Sequence, residues 1–171
     1  MAAALVVLLA AVYWYAWRPL PRVSGSLRAP IGGRATVSRD SLGVPRIRAE
    51  SLEDVWFLQG FVTAQDRFWQ MESLRRRAAG ELSEVAGAAA LESDREARRI
   101  RLAKIAESQA AALLPPDRAL LAAYARGVNF YLESHRGNLP LEFALLGYHP
   151  RPWRLADSLL VGLEMFRTLT G

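Results

Sequence analysis

Hydrophobic and polar positions follow three different patterns along this 171-residue chain. Residues 1–17 carry no charged side chain, which is typical of a membrane anchor or an export signal. Residues 34–49 contain short runs of alternating apolar and polar residues, and such alternation predicts strands. From residue 51 onward the apolar positions recur every three or four residues, which predicts helices. The pattern therefore predicts a mainly helical fold with a small β hairpin, preceded by an apolar leader.

The leader, residues 1–17, ends in an aromatic cluster made of Tyr13, Trp14, Tyr15 and Trp17. Aromatic side chains concentrate at membrane interfaces, and no small-residue cleavage site adjoins the run. An uncleaved anchor is therefore predicted, with the protein held at a membrane on the periplasmic or another extracytoplasmic side. The positive charges that begin at Arg18 conflict with this orientation, because basic residues favour the cytoplasmic side. Residues 18–33 are rich in Pro, Gly and Ser and are predicted to be a linker.

Two strands are predicted at residues 34–39 and 44–49. Asp40 and Gly43 lie between them and supply the turn chemistry of a hairpin. Pro45 cannot donate a ladder hydrogen bond, so the second strand is expected at an edge, or else to start after the proline.

A long helix is predicted to begin at Ser51, where Asp54 follows three residues later as in a capping box. Its apolar face is formed by Val55, Leu58, Val62 and Trp69. Three arginines at 75–77 suit the negative end of the helix dipole, and Gly80 suits the position just after the helix. Glu72 is spaced to pair with the first or second of these arginines.

A polar cluster is formed by Gln65, which belongs to this apolar face, and by Asp66 and Arg67, which adjoin it. A polar group on a buried face needs hydrogen-bond partners, because desolvation is otherwise unfavourable. We therefore predict a structural network that ties the helix to neighbouring loops. The alternative is direct catalytic work by Asp66 or Gln65.

Further helices are predicted at residues 81–86, 93–114, 116–134 and from about 156 to 169. The only two histidines, His135 and His149, lie beside loop residues, and neither has a second ligand at metal spacing. We therefore predict no metal site in this chain. The absence of a G-x-S-x-G motif likewise leaves no Ser-His-Asp triad to propose.

Composition narrows the function classes only slightly. The chain has no cysteine, which excludes disulfide scaffolds and cysteine-based metal sites. Its net charge of +5 comes from an arginine-rich middle, and residues 93–114 form the best candidate for binding nucleic acid. That stretch lacks interleaved aromatic residues, so we predict a solvated helix face and no nucleic-acid partner.

Three sequence blocks carry a resemblance to a known family. They are R-D-S-L-G-V-P-R-I-R-A from Arg39, A-Q-D-R-F-W-Q-M-E from Ala64 and R-R-R-A-A-G-E-L-S-E-V-A-G from Arg75. In this order and spacing they resemble the N-terminal part of the penicillin amidase (penicillin acylase) family of N-terminal-nucleophile hydrolases. The family usually has histidine where this chain has Arg46. The resemblance extends over about residues 20–171, with 34–171 as a truncated α-chain-like region.

This resemblance implies an incomplete αββα architecture, of which the chain supplies the α-subunit-like part. Family members are heterodimers cut from one precursor, and they hydrolyse amides such as penicillins or acyl-homoserine lactones. The nucleophile is a serine at the start of the β-chain, and its own α-amine can act as base because the pKa of that amine is near 8. The resemblance therefore implies a β-chain partner, a small amide substrate and no catalytic residue in this chain. The chain alone is expected to be inactive, it holds no cofactor, and calcium is possible only in the complete enzyme.

By position, the resemblance also implies residues that line the acyl-binding pocket. These are Phe166 and Thr170, together with Met165 and Leu169. Core packing explains an apolar helix face equally well. A function of another class stays open: a membrane-anchored helical interaction module, or a non-catalytic remnant.

Overall fold

The structure is a computed structural model that describes residues 2–17, 20 and 23–170. Helix α1, Ala2–Val12, is followed by a π-helical turn at Tyr13–Trp17. The residues outside the description are Met1, residues 18, 19, 21 and 22 of the predicted linker, and Gly171. Among the helices that the structure describes, none has both the length and the apolar character needed to cross a membrane. The membrane anchor stays a prediction.

The predicted hairpin is confirmed. Strands β1, Ala35–Arg39, and β2, Pro45–Ala49, pair antiparallel with Val37 opposite Ile47. The carboxylate of Asp40 closes the turn, because its Oδ1 accepts hydrogen bonds from the backbone N–H groups of Leu42 and Val44 at 3.0 and 2.9 Å. Pro45 begins β2, where its missing N–H costs no internal ladder bond.

Helix α2, Leu52–Ala79, has the predicted ends. The Ser51 hydroxyl accepts a hydrogen bond from the N–H of Asp54 at 3.0 Å, which caps the first turn. Gly80 follows the last turn with φ of 72°, a left-handed conformation that glycine adopts without a steric penalty. Inside the helix, Arg67 departs from helical geometry at φ −143° and ψ 26°, which places a kink beside the polar cluster.

The remaining helices are short except for α6 and α8. They are α3 at Ser83–Ala86, a 3₁₀ turn at Gly87–Ala90, α4 at Leu91–Ile100, α5 at Leu102–Ala112, α6 at Pro115–Ser134, α7 at Leu141–Leu146 and α8 at Leu155–Thr170. Helix α7 was not predicted from the sequence, because its six residues are too few to show a helical period.

The single helix predicted at residues 93–114 is wrong. Arg101 has φ of 62° and ends α4 at Ile100, and α5 starts at Leu102. The physical reason is tertiary packing: α4 lies against α2, whereas Leu102 and Ala106 of α5 pack with Leu160 of α8. One straight helix could not make both contacts.

Helices α2 and α6 cross closely and form the centre of the molecule. Their backbones approach at two glycines, Gly60 of α2 and Gly127 of α6, where a Cβ atom would lie about 2 Å from a backbone oxygen of the other helix. Below the crossing, the main core joins both helices to α7 and the segment that precedes α8. Its buried members are Ala64, Phe68, Met71, Ala125, Val128, Tyr131, Phe143 and Trp153.

Candidate functional site

The polar cluster on α2 is tied to the hairpin. The guanidinium of Arg39, at the end of β1, donates two hydrogen bonds to the Asp66 carboxylate at 2.9 and 2.7 Å and one to Gln65 Oε1 at 3.2 Å. It also donates to the Gly43 carbonyl in the turn at 3.0 Å. The structure thus brings Gln65 and Asp66 together around one arginine, whereas the side chain of Arg67 is exposed at the kink.

A cleft of about 880 Å³ lies next to this cluster. Its floor is aromatic and includes Phe57, Phe61 and Phe130, and its polar rim includes Gln65 and His135. Such a volume is within the range of small-molecule pockets. However, the four residues predicted to line an acyl pocket lie elsewhere, at the end of α8.

A buried ionic network holds the C-terminal half of α2. Glu72 is fully buried and accepts hydrogen bonds from Arg75, from Arg76 Nε at 3.0 Å and from the hydroxyl of Tyr148. Arg76 also bonds to Glu84 at 2.8 Å, and its guanidinium lies 4.3 Å from the centre of the Tyr148 ring. Burial and the hydrogen bond to Glu72 raise the pKa of Tyr148, so that this hydroxyl stays a donor. The network joins α2, α3 and the corner that leads to α8.

Helix α8 starts from a second buried carboxylate. Asp157 is 1% exposed and accepts two hydrogen bonds from Arg151, at 2.7 and 2.8 Å, and one from the N–H of Arg154 at 2.7 Å. The hydrogen bond to Asp157 raises the pKa of Arg151, which therefore stays charged. These contacts fix the first turn of the helix in direction and in rotation.

The other end of α8 presents the predicted pocket residues. Met165, Phe166 and Leu169 are 53%, 66% and 82% exposed. Thr170 is also exposed, and its hydroxyl donates to the carbonyl of Phe166 at 2.9 Å. The structure therefore places all four residues on one open face rather than in the core of the described part of the chain.

The two histidines have different surroundings. His135 stacks on Tyr131 with ring centres 4.4 Å apart, and its Nδ1 lies 3.0 Å from the Tyr131 carbonyl oxygen, whereas His149 is exposed. Within the described residues, no group of three or more His, Asp or Glu side chains could hold a metal ion.

Sequence reasoning missed several partners of these groups. Arg39 lies outside α2, and Tyr148 is 76 positions away from Glu72, so no local spacing could reveal either contact. Arg167 is different, because it follows Glu164 by three residues on a helix and the two side chains are paired in the structure. That spacing is a readable signal.

Comparison with known proteins gives the family. A sequence model of the penicillin amidase family matches residues 34–171, which is most of the chain and begins one residue before β1. The chain belongs to the penicillin amidase family. The family resemblance of the three sequence blocks is thereby confirmed.

Named relatives of this penicillin amidase family chain are acylases. An acyl-homoserine lactone acylase QuiP from Pseudomonas fluorescens is 41% identical over 151 residues, which cover 86% of this chain and 18% of that enzyme. The penicillin acylase 2 proenzyme from a Pseudomonas species is 41% identical over 143 residues, which cover 83% of this chain and 18% of the proenzyme. The chain thus spans less than a fifth of the length of these relatives.

A solved structure supports the same fold. The thermostable penicillin G acylase from Alcaligenes faecalis superposes with a TM-score of 0.74 at 29% identity, over 82% of this chain and 75% of that chain. That acylase is an N-terminal-nucleophile hydrolase. The predicted fold class, a mainly helical α-subunit-like part with a small hairpin, is confirmed for this member of the penicillin amidase family.

Proposed function

We propose that this chain is the N-terminal α-like part of an amidohydrolase that cleaves the acyl-amide bond of a penicillin, an acyl-homoserine lactone or a related amide. The nucleophilic serine lies on a β-part of the same precursor, outside the present residues. Family membership and the names of the relatives support the reaction class. The described residues contribute the scaffold and one wall of the substrate pocket.

The observation that carries the proposal is the open apolar end of α8. Met165, Phe166 and Leu169 form a contiguous patch of exposed large apolar side chains, and such patches are typical of surfaces that a ligand or partner covers. In the proposed enzyme the acyl group of the substrate and the β-part cover this face. Phe166 and Thr170 contact the acyl group, with Met165 and Leu169 beside them.

The chemistry of this proposal assigns no proton transfer to the chain. Arg39 and Asp66 are engaged with each other, and Glu72 is enclosed by arginines. Each carboxylate is thereby committed to an ion pair with arginine, which suits a structural role better than general acid–base work. The base is instead the α-amine of the serine at the start of the β-part.

The experiment compares two proteins on the same substrates. One is the 171-residue chain, and the other is the longer precursor expressed from its reading frame. A chromogenic phenylacetyl amide and an acyl-homoserine lactone serve as substrates. We expect turnover by the precursor and none above blank by the 171-residue chain; turnover by the chain alone would show that its own residues carry the reaction.

A non-catalytic interaction module is the alternative, and the same experiment separates it. A precursor that matures but hydrolyses neither amide supports the module. An in-frame continuation with a serine at the start of a β-part, whose replacement by alanine abolishes turnover, supports the enzyme.

The apolar leader, residues 1–17, is the basis for a proposal about where the protein is located. Leu5, Val6 and Leu9 of α1 are each more than half exposed. The transfer of such apolar side chains from water to an apolar phase lowers the free energy. We propose that the leader directs the protein to a membrane on the extracytoplasmic side. Membrane fractions washed at alkaline pH should retain the full chain and release a variant lacking residues 1–17; equal release of both contradicts the proposal.

A further inference from the structure

A carboxylate that the proposed reaction does not use is buried on α8. Glu164 is 1% exposed and lies one turn beyond Leu160, on the helix face that packs against α5. A buried carboxylate is strongly unfavourable unless a cation and hydrogen bonds compensate for its lost hydration. Glu164 therefore needs a cation beside it, and the position of that cation indicates the role of the carboxylate.

That partner is Arg167, from the next turn of the same helix. Its Nε and Nη2 donate to the two carboxylate oxygens of Glu164 at 3.0 and 2.9 Å. Its remaining terminal nitrogen, Nη1, lies 3.5 Å from a carboxylate oxygen of Glu96 on α4. The hydrogen bond to Glu164 raises the pKa of Arg167. Through Arg167, the buried Glu164 on α8 is thus connected to Glu96 on α4.

The opposite face of the same turn carries the proposed pocket. Residues two apart on an α-helix point about 200° apart, so Phe166 projects away from the face on which Glu164 is buried. Phe166 is 66% exposed, and Arg167 is its direct neighbour in the chain. Any rotation of the last turn that follows loss of the ion pair would therefore move Phe166 and Thr170 without a change in either side chain.

We propose that Glu164 and Arg167 are positioning residues that fix the rotation of the last turn of α8, and thereby set acyl-group selectivity at the Phe166 and Thr170 face. This inference rests on the proposed function. Neither residue touches the substrate. They act through the backbone of one helical turn, in which a displacement of about 1 Å can change a rate by about a hundredfold.

The test uses the longer precursor after maturation, with two amides that share one leaving amine. One carries a phenylacetyl group and the other a linear aliphatic acyl group. We expect Arg167→Met to change the ratio of the two kcat/KM values by about tenfold, mainly through KM. Arg167→Lys should restore part of the ratio, because it returns the charge without the two-point geometry.

The matched control is Arg95→Met. Arg95 pairs with Glu92 at the same three-residue spacing, but both side chains are largely exposed at 66% and 75%. Its loss should leave the ratio within twofold of wild type. Should Arg167→Met fail to mature, the double variant Glu164→Met with Arg167→Met carries the same comparison, because it removes the buried charge together with its partner.

Three outcomes count against the inference. A ratio that stays at the wild-type value in both the single and the double variant overturns it. Equal losses of kcat/KM on both amides, matched by a lower fraction of titratable active sites, also overturn it, since this indicates a purely structural pair. A wild-type precursor without amidase activity overturns the proposed function itself and the inference with it.

Discussion

Replacement of Gly127 by alanine tests the central helix crossing most directly. The added Cβ would lie 1.9 Å from the carbonyl oxygen of Phe57 and 2.9 Å from the amide nitrogen of Phe61. Both are backbone atoms of α2, so no side-chain rotation can relieve the contact. To reach ordinary van der Waals distance, the helices must separate by about 1.5 Å.

The expected cost follows from the contacts that this separation weakens. With about 50 atom pairs across the crossing, each worth about 0.1–0.2 kcal/mol and about half lost at such a gap, the cost is about 3–5 kcal/mol. Alanine is favoured over glycine inside a helix by about 1 kcal/mol, which offsets part of this loss. We therefore expect Gly127→Ala to lower the free energy of unfolding by about 3 kcal/mol.

Urea unfolding followed by far-ultraviolet circular dichroism measures this change. The matched control is Gly162→Ala in α8, where an added Cβ meets nothing within 4 Å. The same substitution should there raise the free energy of unfolding by up to about 1 kcal/mol. If Gly127→Ala were as stable as wild type, the close approach of α2 and α6 would be wrong.

Two further predictions concern buried ionisable groups. Glu72→Ala should lower the free energy of unfolding by about 3–5 kcal/mol, because it leaves the buried Arg75 without its main partner. Glu92→Ala removes one side of an exposed ion pair and should change the free energy of unfolding by less than about 1 kcal/mol. Equal effects of the two substitutions in urea melts would contradict the argument. Burial, with a smaller contribution from Asp66, raises the pKa of Tyr131 to about 12. In the unfolded chain the pKa of a tyrosine hydroxyl is near 10, so Tyr131 ionises there at a lower pH than in the folded protein. Stability should therefore fall between pH 10 and 12, by about 1.4 kcal/mol at pH 11 relative to Tyr131→Phe; parallel pH profiles of the two proteins in urea melts would refute this.

The elements that local chemistry specifies were predictable from the sequence. Ser51 and Gly80 bound α2 as predicted, since a cap acts on backbone groups within a few residues of itself. The hairpin was predictable for the same reason, because Asp40 closes the turn with its own neighbours. Family membership also followed from the sequence, since three ordered blocks within one short region carry far more information than one motif.

The features that depend on tertiary contacts were not predictable. The left-handed Arg101 divides one amphipathic segment into two helices, although nothing in its own residue type demands this. Tyr148 completes the Glu72 network from 76 positions away. The roles of Gln65, Asp66 and Arg67, and of the four pocket residues on α8, stay predictions.

The core that α2 shares with α6 also has a consequence for synthesis. Phe68 and Met71 of α2 share a buried cluster with residues that follow much later, among them Val128 and Tyr131. At a translation rate of about 5–20 residues per second, the roughly 50 residues between the end of α2 and Tyr131 take about 3–10 s to emerge. During that interval the nascent chain presents an aromatic helix face to chaperones and proteases. Substitutions that delay the docking of α6 should therefore reduce the yield of protein in the cell, even where the finished molecule is as stable as wild type.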